Sequence, residues 1–484
     1  MYRYGGIMRK IVTCMLVGIF LLSAGACGGG EDPDRKPAPE PMYSSEEKFD
    51  IGMWVGVSDK IVEYDEWGQK TGKEIQLTDE EFLEKYEWIA EAGFTIAYPG
   101  YEYMLWGTEV YNKKCLKAAH EVGIKQIISI PALNDYMIKA KTLVESGLET
   151  EEQAVEKVKG YLKPYLEYEY ADAFYGCFIG DEPGADEFDQ HAFSYKIFSQ
   201  AAPDLCYYTN LFPVIAGGAQ LGGVTPINYD TYIAQYLEKI KTPYLSYDHY
   251  PLKKGKDYFL ESSFLQNMEI IRKALNEEGE GREMWTFLQS ISFGSNRSLE
   301  SVGDATFQAY SFLAYGGDAI QWFCFACPPP YDGASYFGND ALLDRNYQKT
   351  PAFDYVKTAN GYIQSLMPWY KNFTWKGVMT SSENGGEGNF KLIERMESGK
   401  NLKKVEGTED VLVGMFDDKD GREGCMVVNF TDPGRKLNNT VTLSFEGVKD
   451  AIIILNGEKS VQSLKKGKLT LELKSGEGCF VIPY

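Results

Sequence analysis

The chain has 484 residues, a net charge of −21 and an aromatic fraction of 14%, including 34 tyrosines. This length exceeds that of one ordinary domain, although barrel folds with insertions can reach well over 300 residues. The strong negative charge argues against a partner recognised through its nucleic-acid backbone and is compatible with a neutral ligand.

The N-terminal segment has the pattern of an export signal. Arg9 and Lys10 precede an apolar run over 11–22, which is too short to span a bilayer, and small residues then lead to Cys27. Small residues before a cysteine resemble the lipobox of bacterial lipoproteins. This resemblance implies a signal peptide over 1–27, acylation of Cys27 and anchoring to outer-membrane lipid. The acidic stretch that follows resembles an export tag, which implies exposure on the cell exterior; a plain secretory signal is the alternative.

Residues 28–48 are rich in Pro, Glu and Asp, and they predict a tether that buries too little apolar surface to fold. A repeated strand-then-helix pattern follows over 49–370. The strands are predicted at 49–56, 93–98, 123–131, 174–180, 206–210, 244–248, 284–289 and 319–323. The helices are predicted from the capping box Thr78-Asp-Glu-Glu81 to Gly93, and over 113–122, 151–170, 191–201, 229–241, 264–278, 305–314 and 352–366.

Eight such alternations predict a parallel sheet, and closure into a (β/α)8 barrel is the simplest arrangement. A doubly wound sheet is the rival fold, but no Gly-rich phosphate loop follows any strand. Over 371–484, short alternating segments separated by glycines predict a small antiparallel β-sandwich. We expect this domain to pack against the barrel, with carbohydrate binding as an alternative role.

The cysteines do not form a recognisable framework. Seven remain beyond Cys14 and Cys27, an odd and scattered set. Cys324 and Cys327 form a CxxC motif, but with no second pair and no nearby histidine we interpret them as packing residues rather than metal ligands. No metal site and no cofactor are predicted.

The predicted C-terminal strand ends carry aromatic, amide and carboxylate side chains. Side chains at the C-terminal ends of the strands face the active-site side of a parallel barrel. They are Trp54, Tyr98, Tyr101, Asp181, Glu182, Asn210, Tyr247, Asp248, His249, Gln289 and Trp322. Glycosidic-bond hydrolysis requires such a set, because one carboxyl group protonates the leaving oxygen, a second acts as nucleophile or base, and flat rings stack on sugars.

Four segments of the barrel resemble the clan A glycoside hydrolases, especially the family 5 and family 42-like barrels. They are Gly180-Asp-Glu-Pro183, Ser246-Tyr-Asp-His-Tyr-Pro251, Met284-Trp-Thr-Phe-Leu-Gln289 and Ala314-Tyr-Gly-Gly-Asp-Ala-Ile-Gln-Trp-Phe323. The resemblance implies that Glu182, which matches the Glu of the strand-four Asn-Glu motif, is the general acid/base. Asp181 stands where the motif has Asn, which puts a usual sugar contact in doubt.

The second catalytic carboxylate departs from that pattern. The clan places a Glu at the end of strand seven, where this chain has Gln289, and Glu283 lies at the strand's opposite end. We take Asp248 as the best substitute and Asp332 as a weaker one. Asp181 is expected to support Glu182 without being its close partner, since successive strand residues point to opposite faces.

Three functions are compatible with these residues. The leading one is a lipid-anchored glycoside hydrolase that acts as a monomer on an oligo- or polysaccharide. Substitution of Glu182 is its test. Trp54, Tyr98, Tyr101, Trp106 and Trp322 are the candidate sugar platforms. The second is a surface glycan-binding protein on an inactive barrel, which Gln289 favours. The third is a scaffold lipoprotein, which would require a flat or filled barrel mouth.

Overall fold

A computed structural model gives the fold of residues 38–41, 48–65, 69–255, 258–279, 281–330, 336–381 and 388–484. The predicted signal peptide with Cys14 and Cys27, most of the predicted tether and Asp332 lie outside these described residues. Residues 38–484 belong to one compact unit. None of the described helices is long and apolar enough to cross a membrane.

One parallel sheet holds all eight of the predicted barrel strands. They are β1 (Asp50–Trp54), β2 (Ile96–Ala97), β3 (Lys125–Ile128), β4 (Phe174–Asp181), β5 (Cys206–Asn210), β6 (Tyr244–Asp248), β7 (Glu283–Gln289) and β8 (Ala319–Phe323). Their order is β5-β4-β3-β2-β1-β8-β7-β6. The two edge strands meet where Leu211 bridges Tyr247 and its N–H donates to the Ser246 carbonyl at 2.9 Å. This nearly closed, sequential order fits the predicted (β/α)8 barrel and not a doubly wound sheet.

Nine helices of eight residues or more are described in the barrel. They are α1 (Asp79–Glu91), α2 (Glu109–Val122), α3 (Pro131–Glu145), α4 (Glu151–Leu166), α5 (Phe188–Ala201), α6 (Tyr229–Lys239), α7 (Phe264–Glu278), α8 (Val302–Leu313) and α9 (Pro351–Tyr370). The capping box at Thr78 and Glu81 is present as predicted. Helix α3 was not predicted, because Pro131 was interpreted as a strand end although proline is well suited to the first position of a helix.

The shorter elements of the barrel region lie in the connections. They are strands Lys60–Tyr64 and Lys70–Gln76, strands Leu252–Lys253 and Phe259–Leu260, helices Tyr101–Met104 and Gly218–Gly222, and 3-10 turns Ala171–Ala173 and Ala185–Glu187. The inside of the barrel is filled mainly by aromatic rings. This buried cluster includes Tyr98, Phe178, Tyr208, Tyr244, Trp285 and Phe287. The barrel interior is therefore a packed core rather than a pore.

The region after α9 forms antiparallel sheets. Its strands are β9 (Phe373–Thr380), β10 (Leu402–Gly407), β11 (Val411–Asp418), β12 (Glu423–Asn429), β13 (Asn439–Phe445), β14 (Asp450–Leu455), β15 (Glu458–Ser463), β16 (Lys468–Leu473) and β17 (Gly478–Pro483), with 3-10 turns Gly388–Phe390 and Pro433–Arg435. One sheet has the order β9-β11-β12-β17-β14-β15 and the other β10-β13-β16. Apolar side chains of both sheets share one buried cluster. The six predicted strands are present, and β9, β10 and β15 were not predicted.

Buried polar contacts join the antiparallel region to the barrel. Arg297, in the loop after β7, forms ion pairs with Asp304 of α8 at 2.5 Å and with Asp432 at 2.7 Å. The Trp375 indole N–H donates to the Ala314 carbonyl at 3.0 Å. All seven described cysteines are free thiols, and Cys324 and Cys327 are both buried.

Candidate active site

A pocket of about 220 Å³ opens at the C-terminal ends of the barrel strands. Its lining is Trp54, Asp181, Glu182, Asn210, Asp248, Tyr250, Phe287, Phe293, Phe323, Tyr336 and Phe337. We call Asp181, Glu182, Asn210 and Asp248 the acidic wall. We call Tyr250, Phe293, Phe323, Tyr336 and Phe337 the aromatic wall.

A β-bulge in β4 brings Asp181 into the acidic wall. The register between β4 and β5 pairs Phe178 with Tyr208 and Asp181 with Asn210, but it shifts between Phe178 and Gly180. The extra residue interrupts the alternation of side chains, so Asp181 lines the pocket although it lies an odd number of residues from the inward-facing Phe178. Asp181 and Glu182 therefore share the pocket, contrary to the expectation that they would face opposite sides.

Glu182 follows the last residue of β4 in a left-handed backbone conformation, with φ of 51°. Its N–H donates to the Asn210 carbonyl at 2.8 Å, which fixes this turn against β5. The carbonyl of the next residue, Pro183, accepts a bond from the Tyr232 hydroxyl at 2.7 Å. Such a conformation costs a non-glycine residue about 1–3 kcal/mol, and strain of this kind clusters at functional sites.

The Asn210 side chain joins the carboxylates of two strands. Its Nδ2 donates to Asp248 Oδ1 at 3.1 Å and approaches Asp181 Oδ1 at 3.4 Å. Its Oδ1 accepts a hydrogen bond from the Ser246 hydroxyl at 2.9 Å. One amide thus holds Asp181 and Asp248 on either side of itself.

Burial raises the pKa of all three carboxyl groups, and repulsion from neighbouring charges adds to this rise at Glu182 and Asp248. Burial, followed by the charges of Glu182 and Asp181, raises the pKa of Asp248 well above its ordinary value. Burial and then the Asp181 charge raise the pKa of Glu182 to about 7. Burial raises the pKa of Asp181 to about 6, although the hydrogen bond from Asn210 lowers it in part. Solvent still reaches this side chain at the mouth of the pocket. Near neutral pH the acidic wall therefore carries both a proton and a negative charge.

The aromatic wall is a contiguous set of rings that lines the same pocket. The Phe293 ring lies 5.1 Å from Tyr250, 5.4 Å from Phe323 and 6.0 Å from Phe337, measured between centroids. Tyr336 packs edge-on against Phe337 at 4.8 Å. The wall offers the flat apolar surfaces on which sugar faces stack.

The rings of Trp54 and Phe287 line the pocket and also pack against the barrel interior. The Trp54 ring lies 5.0 Å from Phe178, 5.5 Å from Tyr98 and 5.5 Å from Phe287. Of the predicted platforms, Trp54 is the one that lines the pocket, and its position is braced by this cluster. Among the described lining residues there is no lysine, arginine or histidine.

Strand alternation takes two predicted site residues away from the pocket. On β6, Ser246 and Asp248 face the barrel interior, and Tyr247 between them is fully buried in the core around the sheet. On β8, Gln321 and Phe323 face inward, and the Trp322 indole N–H donates to Asn360 Oδ1 of α9 at 2.9 Å. The substrate-binding roles given to Tyr247 and Trp322 stay predictions.

Gln289 and His249 are also buried outside the pocket. The Gln289 amide donates to the Arg297 carbonyl, and its backbone N–H donates to Gln308 Oε1 at 2.8 Å. Nδ1 of His249 lies 3.0 Å from Asn267 Oδ1 of α7. On the side facing β6, Phe287 pairs with Asp248, so Gln289 lies beyond the level of the carboxylates.

The remaining predicted platforms take three different positions. Tyr98 is buried beneath the pocket, where its hydroxyl donates to Gln321 Oε1. Tyr101 lines a separate cavity of about 20 Å³. Trp106 is 74% exposed.

Six lining residues were missed by the sequence analysis: Tyr250, Phe287, Phe293, Phe323, Tyr336 and Phe337. The two strand residues carried a usable signal, because the period of two places Phe287 and Phe323 on the same face as other interior residues. Tyr250 lies within the quoted segment 246–251. The loop residues Phe293, Tyr336 and Phe337 follow no period that sequence reasoning could use.

No metal-binding arrangement is found in the described part of the chain, where the search covered groups of three or more His, Cys, Asp or Glu side chains.

No family model matches the sequence, and no curated protein matches it. Solved structures of glycoside hydrolases resemble the chain. A family 39 glycoside hydrolase from the gut symbiont Bacteroides cellulosilyticus WH2 has a TM-score of 0.47 and 13% identity, covering 91% of this chain and 82% of that one. An Anoxybacillus α-amylase has a TM-score of 0.48 and 12% identity, covering 91% and 98%.

A third is a GH27 β-L-arabinopyranosidase from Geobacillus stearothermophilus, with a TM-score of 0.46 and 10% identity, covering 91% of this chain and 97% of that one. TM-scores and identities this low carry no argument about activity or site residues.

Proposed function

We propose that the protein is a glycoside hydrolase in which Glu182 is the general acid/base and Asp248 is the second carboxylate. The observation that carries the proposal is the acidic wall, where three carboxyl groups with raised pKa values face a wall of aromatic rings. Hydrolysis of an acetal needs both a proton donor and a negative charge beside the anomeric carbon. The coupled acids supply both at once.

The reaction would begin with proton transfer from Glu182 to the glycosidic oxygen as the bond from that oxygen to the anomeric carbon breaks. Asp248 would then either bond to the anomeric carbon or take a proton from an attacking water. In the first case water later releases the sugar, and Glu182 takes up the water's proton. In the second case the sugar is released with inverted configuration. Proton NMR of the first-formed anomer separates the two routes.

The pocket favours a sugar that carries no acidic group. Its described lining offers rings and carboxyl groups without a basic side chain, so a uronate or sulfate would meet repulsion from the acidic wall. A neutral sugar can stack on Phe293 or Trp54 and donate its hydroxyls to the carboxylates. The proposed substrate is therefore an oligo- or polysaccharide with a neutral sugar at the cleaved bond.

The decisive test is Glu182→Gln, which preserves size and hydrogen bonding but removes the transferable proton. Turnover of glycans in a screening panel, whose alkoxide leaving groups need protonation, should fall by about 10²–10⁴ in kcat, the usual contribution of general acid–base catalysis. Glycan affinity measured by calorimetry should change little. Unchanged turnover in this variant would refute the assignment of Glu182.

A non-catalytic glycan-binding protein is the second candidate. The observation that favours it is the lack of a carboxylate at the end of β7, where the Gln289 amide is engaged with the Arg297 carbonyl. It predicts saturable binding of glycans by the wild type and by Glu182→Gln, with no released reducing ends from either protein at any pH.

We also propose that the chain is a lipoprotein anchored through Cys27 to the outer membrane and facing the cell exterior. The support is the signal-like run over 11–22 and the small residues before Cys27. Metabolic labelling with a radioactive fatty acid should mark the wild type and not Cys27→Ser. Protease treatment of intact cells should degrade an exposed wild-type protein.

A further inference from the structure

A chain of hydrogen bonds crosses the barrel directly beneath the pocket. The Tyr98 hydroxyl on the loop after β2 donates to Gln321 Oε1 on β8. Gln321 Nε2 donates to the Ser246 hydroxyl on β6 at 3.0 Å. Ser246 donates to Asn210 Oδ1 on β5 at 2.9 Å, and Asn210 Nδ2 reaches the two aspartates. All four of these side chains are at least 97% buried.

The two ends of this chain set the direction of its bonds. The Tyr98 hydroxyl occupies the Gln321 carbonyl oxygen, which leaves Gln321 Nε2 to donate to Ser246. Because the Asn210 NH2 group faces the two aspartates, its carbonyl oxygen is the atom that faces Ser246, and Ser246 donates its single proton to that oxygen. The Tyr208 hydroxyl, 3.0 Å from Ser246, then donates to the remaining Ser246 lone pair.

This direction fixes how the Asn210 amide lies between the acids. Its NH2 group points at Asp181 and Asp248, and its oxygen is held on the opposite side by Ser246. A reversed amide would place a carbonyl oxygen against two carboxylates and would lose the bond from Ser246. Hydrogen bonds from an N–H to a charged carboxylate are stronger than neutral ones, so the held orientation favours negative charge on the acidic wall.

We propose that Ser246 is a positioning residue, which holds the Asn210 amide in the orientation that keeps a negative charge on the acidic wall. This inference rests on the proposed function for its kinetic readout, but not for its measurement of charge. The titratable groups around the amide are Asp181 on β4 and Glu182 directly after it, Asp248 on β6 and Tyr250 after it, and Tyr208 on β5.

Ser246→Ala tests the proposal in the full chain. Without the hydroxyl, the Asn210 amide can rotate, and the aspartates lose part of the donor that favours their ionised forms. The acidic limb of the kcat/KM profile should move up by about one pH unit, since the aspartates lose part of a hydrogen bond that favours their ionised forms. At neutral pH kcat should fall more than KM rises.

The matched control is Ser311→Ala in α8, which removes another buried serine hydroxyl. Ser311 Oγ has no hydrogen-bond partner among the described residues, so its loss should leave the pH profile unmoved. Ser246→Thr retains the hydroxyl and should restore an acidic limb close to that of the wild type.

A double substitution separates positioning from general damage. If Ser246 acts through Asn210, then Asn210→Ala combined with Ser246→Ala should shift the acidic limb no further than Asn210→Ala alone. A further shift in the double variant would overturn the proposal, and so would an unmoved limb in Ser246→Ala.

A second readout does not depend on turnover. Urea unfolding between pH 4 and pH 9 reports proton uptake by the folded state. In Ser246→Ala, the fall in stability caused by ionisation of the acidic wall should extend to a pH about one unit higher than in the wild type. If the wild type hydrolyses no glycoside, the proposed function fails, and this shift alone supports the positioning role or, by its absence, overturns it.

Discussion

The two walls of the pocket are built in different ways. The acidic wall comes from residues at or directly after the strand ends of β4, β5 and β6, and one amide, Asn210, connects two of its carboxylates. Most of the aromatic wall comes from loops, with Tyr250, Phe293, Tyr336 and Phe337 all beyond strand ends. The backbone ladder therefore sets the positions of the acids, whereas mutual packing sets those of the rings.

This difference assigns the two walls different tasks. Reacting groups must be held precisely in place, and rigid strands achieve this better than loops do. Sugar-binding rings need only present a flat face, which a packed cluster of rings does with less exact geometry. We expect changes in the acidic wall to affect chemistry and changes in the aromatic wall to affect binding.

The largest effect is expected from Asp248→Asn. The variant keeps the shape and the bond from Asn210 but loses the second ionisable group, so kcat should fall by about 10²–10⁴. Asp181→Asn should cost less, because it leaves the two proposed catalytic carboxyl groups, Glu182 and Asp248, unchanged. Stopped assays at the pH optimum compare the two. A larger loss in Asp181→Asn would exchange their roles.

The strand-borne wall was accessible from sequence, and the loop-borne wall was not. Asp181, Glu182, Asn210 and Asp248 were all expected at strand ends, and each lines the pocket. The aromatic wall depends on how long loops fold back over the mouth, which involves contacts between residues far apart in sequence. No local period specifies such contacts.

Side-chain directions within the strands differ from expectation for a simpler reason. Tyr247 and Trp322 were included because they lie at strand ends, yet each occupies the outward phase of the alternation. Asp181 was expected to face away from Glu182 because a bulge between Phe178 and Gly180 leaves no mark in the sequence. The alternation of side chains along a strand could have been applied to the sequence of each strand. The bulge, by contrast, becomes apparent only when the pairing of β4 with β5 is known.

The second effect, on stability, follows from the raised pKa of Glu182. The folded state holds this proton up to a pH of about 7, above the ordinary range of an unfolded glutamate, so stability falls as the pH rises between those values. Glu182→Gln lacks this loss. It should be more stable than the wild type at pH 8, by on the order of 2 kcal/mol, and equally stable near pH 4.

Urea unfolding at both pH values measures this difference. Glu121→Gln, on the exposed surface of α2, is the control and should show the same change in stability from pH 4 to pH 8 as the wild type. An equal increase in the free energy of unfolding for Glu182→Gln at both pH values would mean that ionisation of Glu182 does not destabilise the folded state.

The third effect concerns the loop-borne wall. Phe293 contacts three other rings of the aromatic wall, so Phe293→Ala removes its own face and loosens its neighbours. Affinity for a bound sugar should fall about tenfold, in line with about 1.5 kcal/mol for a lost aromatic contact, while kcat stays within about twofold. Phe293→Tyr retains the ring and is the matched control. A loss confined to kcat would contradict the separation of the two walls.

The smallest effect tests whether the acidic wall selects ligands by charge. Paired 4-nitrophenyl glycosides and glycuronides, in the gluco and galacto series, differ only in a CH2OH or a carboxylate group. Because ionisation of the wall increases from pH 5 to pH 8, discrimination against the uronide should increase by a few-fold over this range. Asp181→Asn removes one of the negative charges while leaving the rings in place, so it should reduce the pH dependence, whereas Phe293→Ala should weaken both ligands equally. Competition binding at constant ionic strength measures these ratios, and a pH-independent ratio in the wild type would show that the rings alone determine which sugar binds.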